Sequence, residues 1–163
     1  MKTIDPKPSG PGVRFPPPLL FAGGLLIAWL LQTRFRSFPL FSQTSLMLAA
    51  RAVGYALVLA GIIVMGSGML TFARAHTAII PMKRASSLVD TGPYRFTRNP
   101  MYTGMTVAYL GGALILNSWW GLVILPISLA LLYFLVVLKE ERYLSAEFGD
   151  AYADYRSRVK RWI

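Results

Sequence analysis

Apolar residues fill four long runs of the chain, and polar residues are largely confined to the gaps between them. The runs cover about 16–32, 46–72, 101–116 and 119–138. A bilayer-spanning helix takes roughly 20 mostly apolar residues, so each run predicts a transmembrane helix, the third a short one. Asn117-Ser118 is too brief a link for anything but a tight turn, which predicts that the last two helices form an antiparallel hairpin. Trp119 and Trp120 at that turn suit an interfacial aromatic belt. Pro126 predicts a kink in the fourth helix, tolerated where neighbouring groups take the freed carbonyl. Beyond Leu138 the pattern becomes amphipathic. Leu144, Phe148, Tyr152 and Tyr155 fall near helical spacing, with a break at Gly149, and predict a tail packed under the membrane face. Residues 1–15, with "PKPSGPG" and "FPPP", read as a flexible arm. "LLQTRFR" offers no small-x-small cleavage site, so the first run reads as a retained helix.

Composition agrees with a membrane protein. The 163 residues, enough for one domain, are 55% hydrophobic and 15% charged, well outside the range of ordinary soluble domains. The expectation is a single all-α integral membrane domain with about four transmembrane helices: an arm at 1–15, a core at 16–138 and a cytosolic tail at 139–163. There is no cysteine, which excludes disulfides and thiol nucleophiles, and His76 alone cannot make a His-rich metal centre. No metal site is expected. The net charge of +10 points to anionic lipid rather than nucleic acid, given the hydropathy. Lysine and arginine set the orientation. Lys2, Lys7 and Arg14, the loop with Arg74, Lys83, Arg84, Arg95 and Arg98, and the tail all share one side, whereas the other carries Arg34 and Arg36. Both termini and that loop are predicted to be cytoplasmic.

Acidic residues narrow the chemistry. None lies between Asp5 and Asp90 or inside a predicted span, which argues against a proton pump or ion-coupled transporter. Five of the seven crowd into the tail, beginning with Glu140-Glu141 at the membrane edge. On the same face lies "TGPYRFTRNPMYTG", residues 91–104. Gly92-Pro93 is a turn signal, and Asn99-Pro100 marks a helix start with Asn99 as cap. Tyr94, Arg95, Arg98 and Tyr102 cluster around them. Singly each suits the headgroup level; together, beside a helix N-terminus, they suit a polar ligand. Taken alone, Glu140 and Glu141 read as a solvated turn paired with Lys139 or Arg142. Gly54 and Gly61 read as helix-packing positions, as do Gly66 and Gly68, and His76 reads as an interfacial residue.

"RNPMYTG" (Arg98 to Gly104), a hydrophobic hairpin and then Glu140-Glu141 resemble a signature of membrane methyltransferases: Arg-His-Pro-x-Tyr-x-Gly, a hydrophobic span, then Glu-Glu. Its bearers are the isoprenylcysteine carboxyl methyltransferases and the phospholipid N-methyltransferases. "LVDTGPYRFTRNPMY" and "EERYL…FGDAYADYRSRV" look like bacterial members of the first family, over roughly residues 66–158. The resemblance implies an all-helical enzyme that uses S-adenosylmethionine held on the cytosolic side. It implies a cofactor loop containing Arg98, Pro100, Tyr102 and Gly104, with Glu140 and Glu141 as the acidic partner, and, after the bacterial members, a place in a bacterial inner membrane. Tyr94 and Asn99, which lie beside these residues, are read as further cofactor-binding candidates. Gly66-Ser67-Gly68 resembles the Gly-x-Gly of phospholipid methyltransferases. Asn99 departs from the signature histidine and cannot exchange a proton near neutral pH, which removes any acid–base role there.

The chemistry of that cofactor suits these residues. A glutamate can accept from its ammonium or ribose, an arginine or helix-start amide can hold its carboxylate, and a tyrosine can stack on adenine. Methyl transfer is an in-line displacement that needs alignment rather than a metal. The expected acceptor is lipidic, and a carboxylate is favoured because it needs no general base; amine and thiol acceptors stay open. Arg98, Arg142 and Glu141 are the candidate catalytic residues, and Arg95 and Arg142 the candidates for an anionic acceptor group. Two other readings remain: a reductase-like protein using NADPH, after the C-terminal halves of sterol reductases, and a non-catalytic four-helix protein with a lipid-binding basic face.

Overall fold

The computed structural model describes residues 10–77 and 85–162, and among them every regular element is helical. Lys2, Lys7, Lys83 and Arg84, counted above for orientation, lie outside the described residues. Helix α1 spans Pro17–Leu30 and widens into a π turn at Leu31–Phe35. Helix α2 spans Thr44–Arg74, α3 Pro100–Ile115 and α4 Trp119–Leu132. A second π segment, Tyr133–Val137, joins α4 without a break to α5, Leu138–Arg158.

Among the described residues, three helical stretches are long and apolar enough to cross a bilayer: Pro17–Phe35, Thr44–Arg74 and Trp119–Arg158. Helix α3 falls short of the fourth span expected from the pattern. Its 16 residues reach about 24 Å at 1.5 Å each, less than the roughly 30 Å hydrocarbon core. Its first turn instead carries Tyr102 into the site described below. The apolar part of the last helix ends at Leu138, and the polar tail continues the same rod until Gly149. There φ of 50° and ψ of −122° bend it at the expected break.

Glycines decide which helices touch. Gly54, Gly61 and Gly68 recur every seven residues on α2, as do Gly104 and Gly111 on α3, which keeps both stripes facing one partner. A Cβ on Gly61 would lie 2.5 Å from the Gly104 carbonyl oxygen, and one on Gly111 would lie 2.5 Å from that of Gly54. The pairs run in opposite senses, so α2 and α3 are antiparallel. Lipid tails are as apolar as leucine, so such backbone proximity, through dispersion, drives helix association. The main partner of α3 is therefore α2, while α1 packs on α4. The expected α3–α4 hairpin is present but lighter; a Cβ on Gly121 would lie 2.6 Å from that of Ala113.

The turn of that hairpin is sewn to the segment before α2. Asn117, at φ 49°, accepts from the Phe41 amide at 2.9 Å and donates to the Phe41 carbonyl at 2.8 Å. Trp120 donates to the Arg36 carbonyl at 2.9 Å, while Trp119 is exposed. Helix α4 continues through Pro126, and its irregular bonding appears later, at Tyr133–Val137. The described end of the arm is packed rather than free. Val13 is buried among Tyr102, Tyr109 and Val136.

The crossing yields a direct test. Gly61→Ala is expected to lower stability by about 1–3 kcal/mol, because backbone atoms on the facing helix must move. Gly66→Ala, with nothing within 4 Å of its added methyl, is expected to be neutral or slightly stabilising. Thermal unfolding of both variants in detergent checks the pair; equal shifts would refute this account of the packing.

Candidate functional site

The site forms where the loop before α3, the α4–α5 junction and the end of the chain converge. Gly92, at φ 58°, starts a single 3-10 turn through Arg95 that directs Tyr94 inward. The Tyr94 ring lies 5.1 Å from that of Phe72 on α2, and the Tyr155 hydroxyl donates to the Tyr94 carbonyl at 2.9 Å. Tyr155 and Tyr152 are buried, with Leu144 and Phe148 packed beside them, as the tail spacing predicts. Pro100 is buried in the first turn of α3.

Asn99 does not cap α3 with its side chain. Its carbonyl accepts from the Thr103 amide at 3.0 Å, but its side-chain nitrogen donates to the Arg161 carbonyl at 3.1 Å. Thr97 donates to the same carbonyl at 3.0 Å. The returning chain end thus supplies a closer acceptor and draws the amide away from the helix.

The two glutamates have different partners. Glu140 accepts from the Tyr102 hydroxyl at 2.7 Å, and no described cation is paired with it. Burial pushes its carboxyl up to about 7; the Tyr102 hydrogen bond pulls down and the Glu141 charge pushes up. Glu141 is enclosed by cations. Arg161 grips it bidentately, Nε to Oε1 at 2.8 Å and Nη2 to Oε2 at 2.7 Å. Arg98 adds Nη1 to Oε1 at 3.1 Å and also donates to the Tyr152 hydroxyl at 3.3 Å. Neither glutamate takes the local partners Lys139 or Arg142 considered from sequence. Arg142 is exposed, and the carboxylates are held by groups distant in sequence.

A pocket opens between these groups. Of the sequence-derived candidates, Tyr94, Arg98, Asn99, Tyr102, Glu140 and Glu141 line it. Phe72, Met101, Tyr143, Tyr152 and Tyr155 supply apolar and aromatic wall. Gly68 supports the wall from behind: a Cβ there would lie 2.8 Å from Met101 and 3.5 Å from the Tyr94 hydroxyl. Gly104 belongs to the α2–α3 crossing, and Gly66 is exposed with open space beside it. Arg95 and Arg142 are exposed and outside the lining. His76 is exposed too, and its carbonyl accepts from Ser86.

Arg161 is the residue the sequence pattern did not single out. It counted only as one tail cation, because its partner lies 20 residues back across the bend at Gly149. The available signal was the return of apolar residues, Val159 and Trp162, on either side of it.

Two buried donors in the lining have no partner: the Tyr94 hydroxyl and Arg98 Nε. Burial, reinforced by the Glu140 charge, drives the Tyr94 hydroxyl upward, so it stays protonated and donates. An uncompensated carboxylate, an unfilled guanidinium N–H, a free phenol and aromatic walls suit a ligand with a cation, an anionic oxygen and a planar ring. Among the described residues no three His, Cys, Asp or Glu gather as metal ligands.

The chain is similar to a known family and to several known proteins. The model of a family described as phospholipid methyltransferase matches residues 49–151. The chain is 29% identical over 99 residues to the protein-S-isoprenylcysteine O-methyltransferase of Schizosaccharomyces pombe, covering 60% of this chain and 42% of that one. It is 29% identical over 116 residues to protein-S-isoprenylcysteine O-methyltransferase B of Arabidopsis thaliana, covering 65% and 55%. It is 29% identical over 96 residues to the cobalt-zinc-cadmium resistance protein CzcN of Cupriavidus metallidurans, covering 58% and 44%. The chain thus spans about half the length of the curated relatives it matches. No solved structure matches. The family match takes in α2, the Arg98–Tyr102 loop and the Glu140-Glu141 pair that meet in this pocket, and the chain belongs to the phospholipid methyltransferase family.

Proposed function

We propose that this protein transfers a methyl group from S-adenosylmethionine to a lipidic acceptor at the cytoplasmic face of a membrane. The observation that carries the reading is the convergence of Arg98, Tyr102, Glu140 and Glu141 on one pocket with unfilled polar groups. Bound there, S-adenosylmethionine would supply an electrophilic methyl carbon. Glu140 would accept from its ammonium, Arg98 Nε would donate to its carboxylate, and Tyr94 would donate to its polar edge. The aromatic lining would cover the adenine and keep water from the reacting centre. Because Glu141 is already held by two arginines, it serves as the anchor of Arg98, and Glu140 is the acidic group left for the ligand.

A carboxylate acceptor suits this site best. Asn99 cannot take a proton, and a carboxylate requires none to be removed. The names of two relatives, protein-S-isoprenylcysteine O-methyltransferases, point to the same chemistry, so an isoprenylcysteine-like carboxylate is the acceptor class to test first. Arg95 and Arg142 are exposed outside the pocket lining, and this reading assigns them no part in holding the acceptor. The basic loop and tail support a cytoplasmic orientation.

Calorimetric titration of the detergent-purified protein with S-adenosylmethionine, its demethylated product and NADPH tests the reading. Binding of the first two is expected, weakened in Glu140→Gln. Binding of NADPH alone would replace it with the reductase-like reading, and binding of none by folded protein would leave the non-catalytic one.

A further inference from the structure

The last residues of the described chain are tied down at every step. After α5, Val159 turns the backbone extended, and its side chain is buried against Tyr152 and Tyr155. The Lys160 carbonyl accepts from the Arg98 amide at 2.9 Å. The Arg161 carbonyl accepts from both Thr97 and Asn99, and Trp162 packs against the bundle core. The Arg161 guanidinium lies 5.3 Å from the centre of the Tyr133 ring. Carbonyl oxygens, guanidinium and apolar side chains are therefore all engaged, which fixes Arg161 against Glu141.

What that fixing does follows from counting donors. Glu141 has two oxygens, and a guanidinium prefers to grip both through parallel N–H bonds. Arg161 takes this fork-on-fork position. Arg98 is left with a single contact, Nη1 to Oε1, and its Nε–H stays buried without a partner. Without Arg161, the carboxylate would be free to turn onto Arg98 and consume that Nε–H. The second arginine keeps the first one open.

We infer that Arg161 is a positioning residue that acts through Glu141 to reserve Arg98 Nε for the carboxylate of the bound cofactor. This rests on the methyl-transfer reading above. Arg161 need not touch the ligand. Its effect is confined to the part of the ligand that Arg98 contacts, and this separates positioning from general support of the fold.

The test compares S-adenosylhomocysteine with 5′-methylthioadenosine, which keeps the nucleoside but has neither carboxylate nor ammonium. Arg161→Ala is expected to weaken S-adenosylhomocysteine about tenfold, the order set by one charge-assisted hydrogen bond, with 5′-methylthioadenosine unchanged. Arg161→Lys, which keeps the charge without the fork, is expected to show the same selectivity with a smaller loss, and it covers the case in which the alanine variant does not fold. Parallel loss of both ligands would assign Arg161 a purely structural role and overturn the inference, as would full retention of S-adenosylhomocysteine. If wild-type protein bound neither ligand, the methyl-transfer reading itself would fall and this inference with it. The wild-type titration tells the two failures apart.

Discussion

Glu141→Ala is expected to abolish cofactor binding and to cost about 3 kcal/mol of stability, the larger part from stranding two arginines. Arg98 and Glu141 have side chains 9% and 12% exposed, and Arg161 is 28% exposed, so water screens the triad poorly. With the carboxylate gone, two guanidiniums would face each other without an anion between them. Glu141→Gln keeps the shape and one acceptor oxygen, and is expected to fold better while still losing most binding, since Arg98 would no longer be held by a charge. The control is the surface pair Arg158–Asp154, which is also a short contact, at 2.9 Å, but with side chains 59% and 67% exposed. Asp154→Ala is expected to change stability by no more than about 0.5 kcal/mol. Melting midpoints in detergent and titration with S-adenosylhomocysteine check the series. A Glu141→Ala protein that melts and binds like wild type would show that the triad neither supports the fold nor shapes the site.

The parts of this site differ in how far sequence reveals them. The apolar runs, the break at Gly149 and the burial of Tyr152 and Tyr155 follow from hydropathy and helical spacing, because a lipid solvent punishes every exposed polar group. Helix length was less legible. The run from Met101 looks like a span, but the start at Pro100 and the turn at Asn117 leave α3 at 16 residues. Partner choice between helices is written in the glycines rather than in loop lengths. The short Asn117-Ser118 link predicts the α3–α4 hairpin, which is present, but only the seven-residue glycine stripes reveal that α2–α3 is the heavier contact. Tyr94, Arg98, Asn99, Tyr102, Glu140 and Glu141, grouped from sequence, line one pocket, but their contacts within it were not legible. Among the described residues, Glu141 is paired with cations and Glu140 is not, and that difference rests largely on Arg161. That contact crosses a bend and 20 residues of chain, and no local pattern encodes it. Gly66 and Gly68 show the same limit. A Gly-x-Gly reads as one motif, yet two residues along a helix point to different sides, and only Gly68 backs the pocket.

Affinity for S-adenosylmethionine is expected to rise about tenfold between roughly pH 6 and 8, through ionisation of Glu140 near 7. The sign follows from the ligand. An ammonium gains from a carboxylate and gains little from a carboxylic acid, so binding favours the deprotonated form and releases a proton as pH falls below 7. Stability should move the other way. Burial raises the Glu140 pKa in the fold above its ordinary value of 4.5, so the folded protein holds the proton more tightly. That contribution is fully present below about 4.5 and is lost as pH rises through about 7. Tightening of the ligand together with softening of the melt across the same window would identify one buried carboxyl as the source of both. Glu140→Gln is expected to flatten both profiles. Tyr102→Phe should shift the affinity curve to higher pH, because its hydroxyl, 2.7 Å away, favours the charged carboxylate. Calorimetry in buffers of different ionisation enthalpy would count the proton released. A wild-type profile that is flat, or one that survives Glu140→Gln, would remove Glu140 from the ligand and return the acidic role to Glu141.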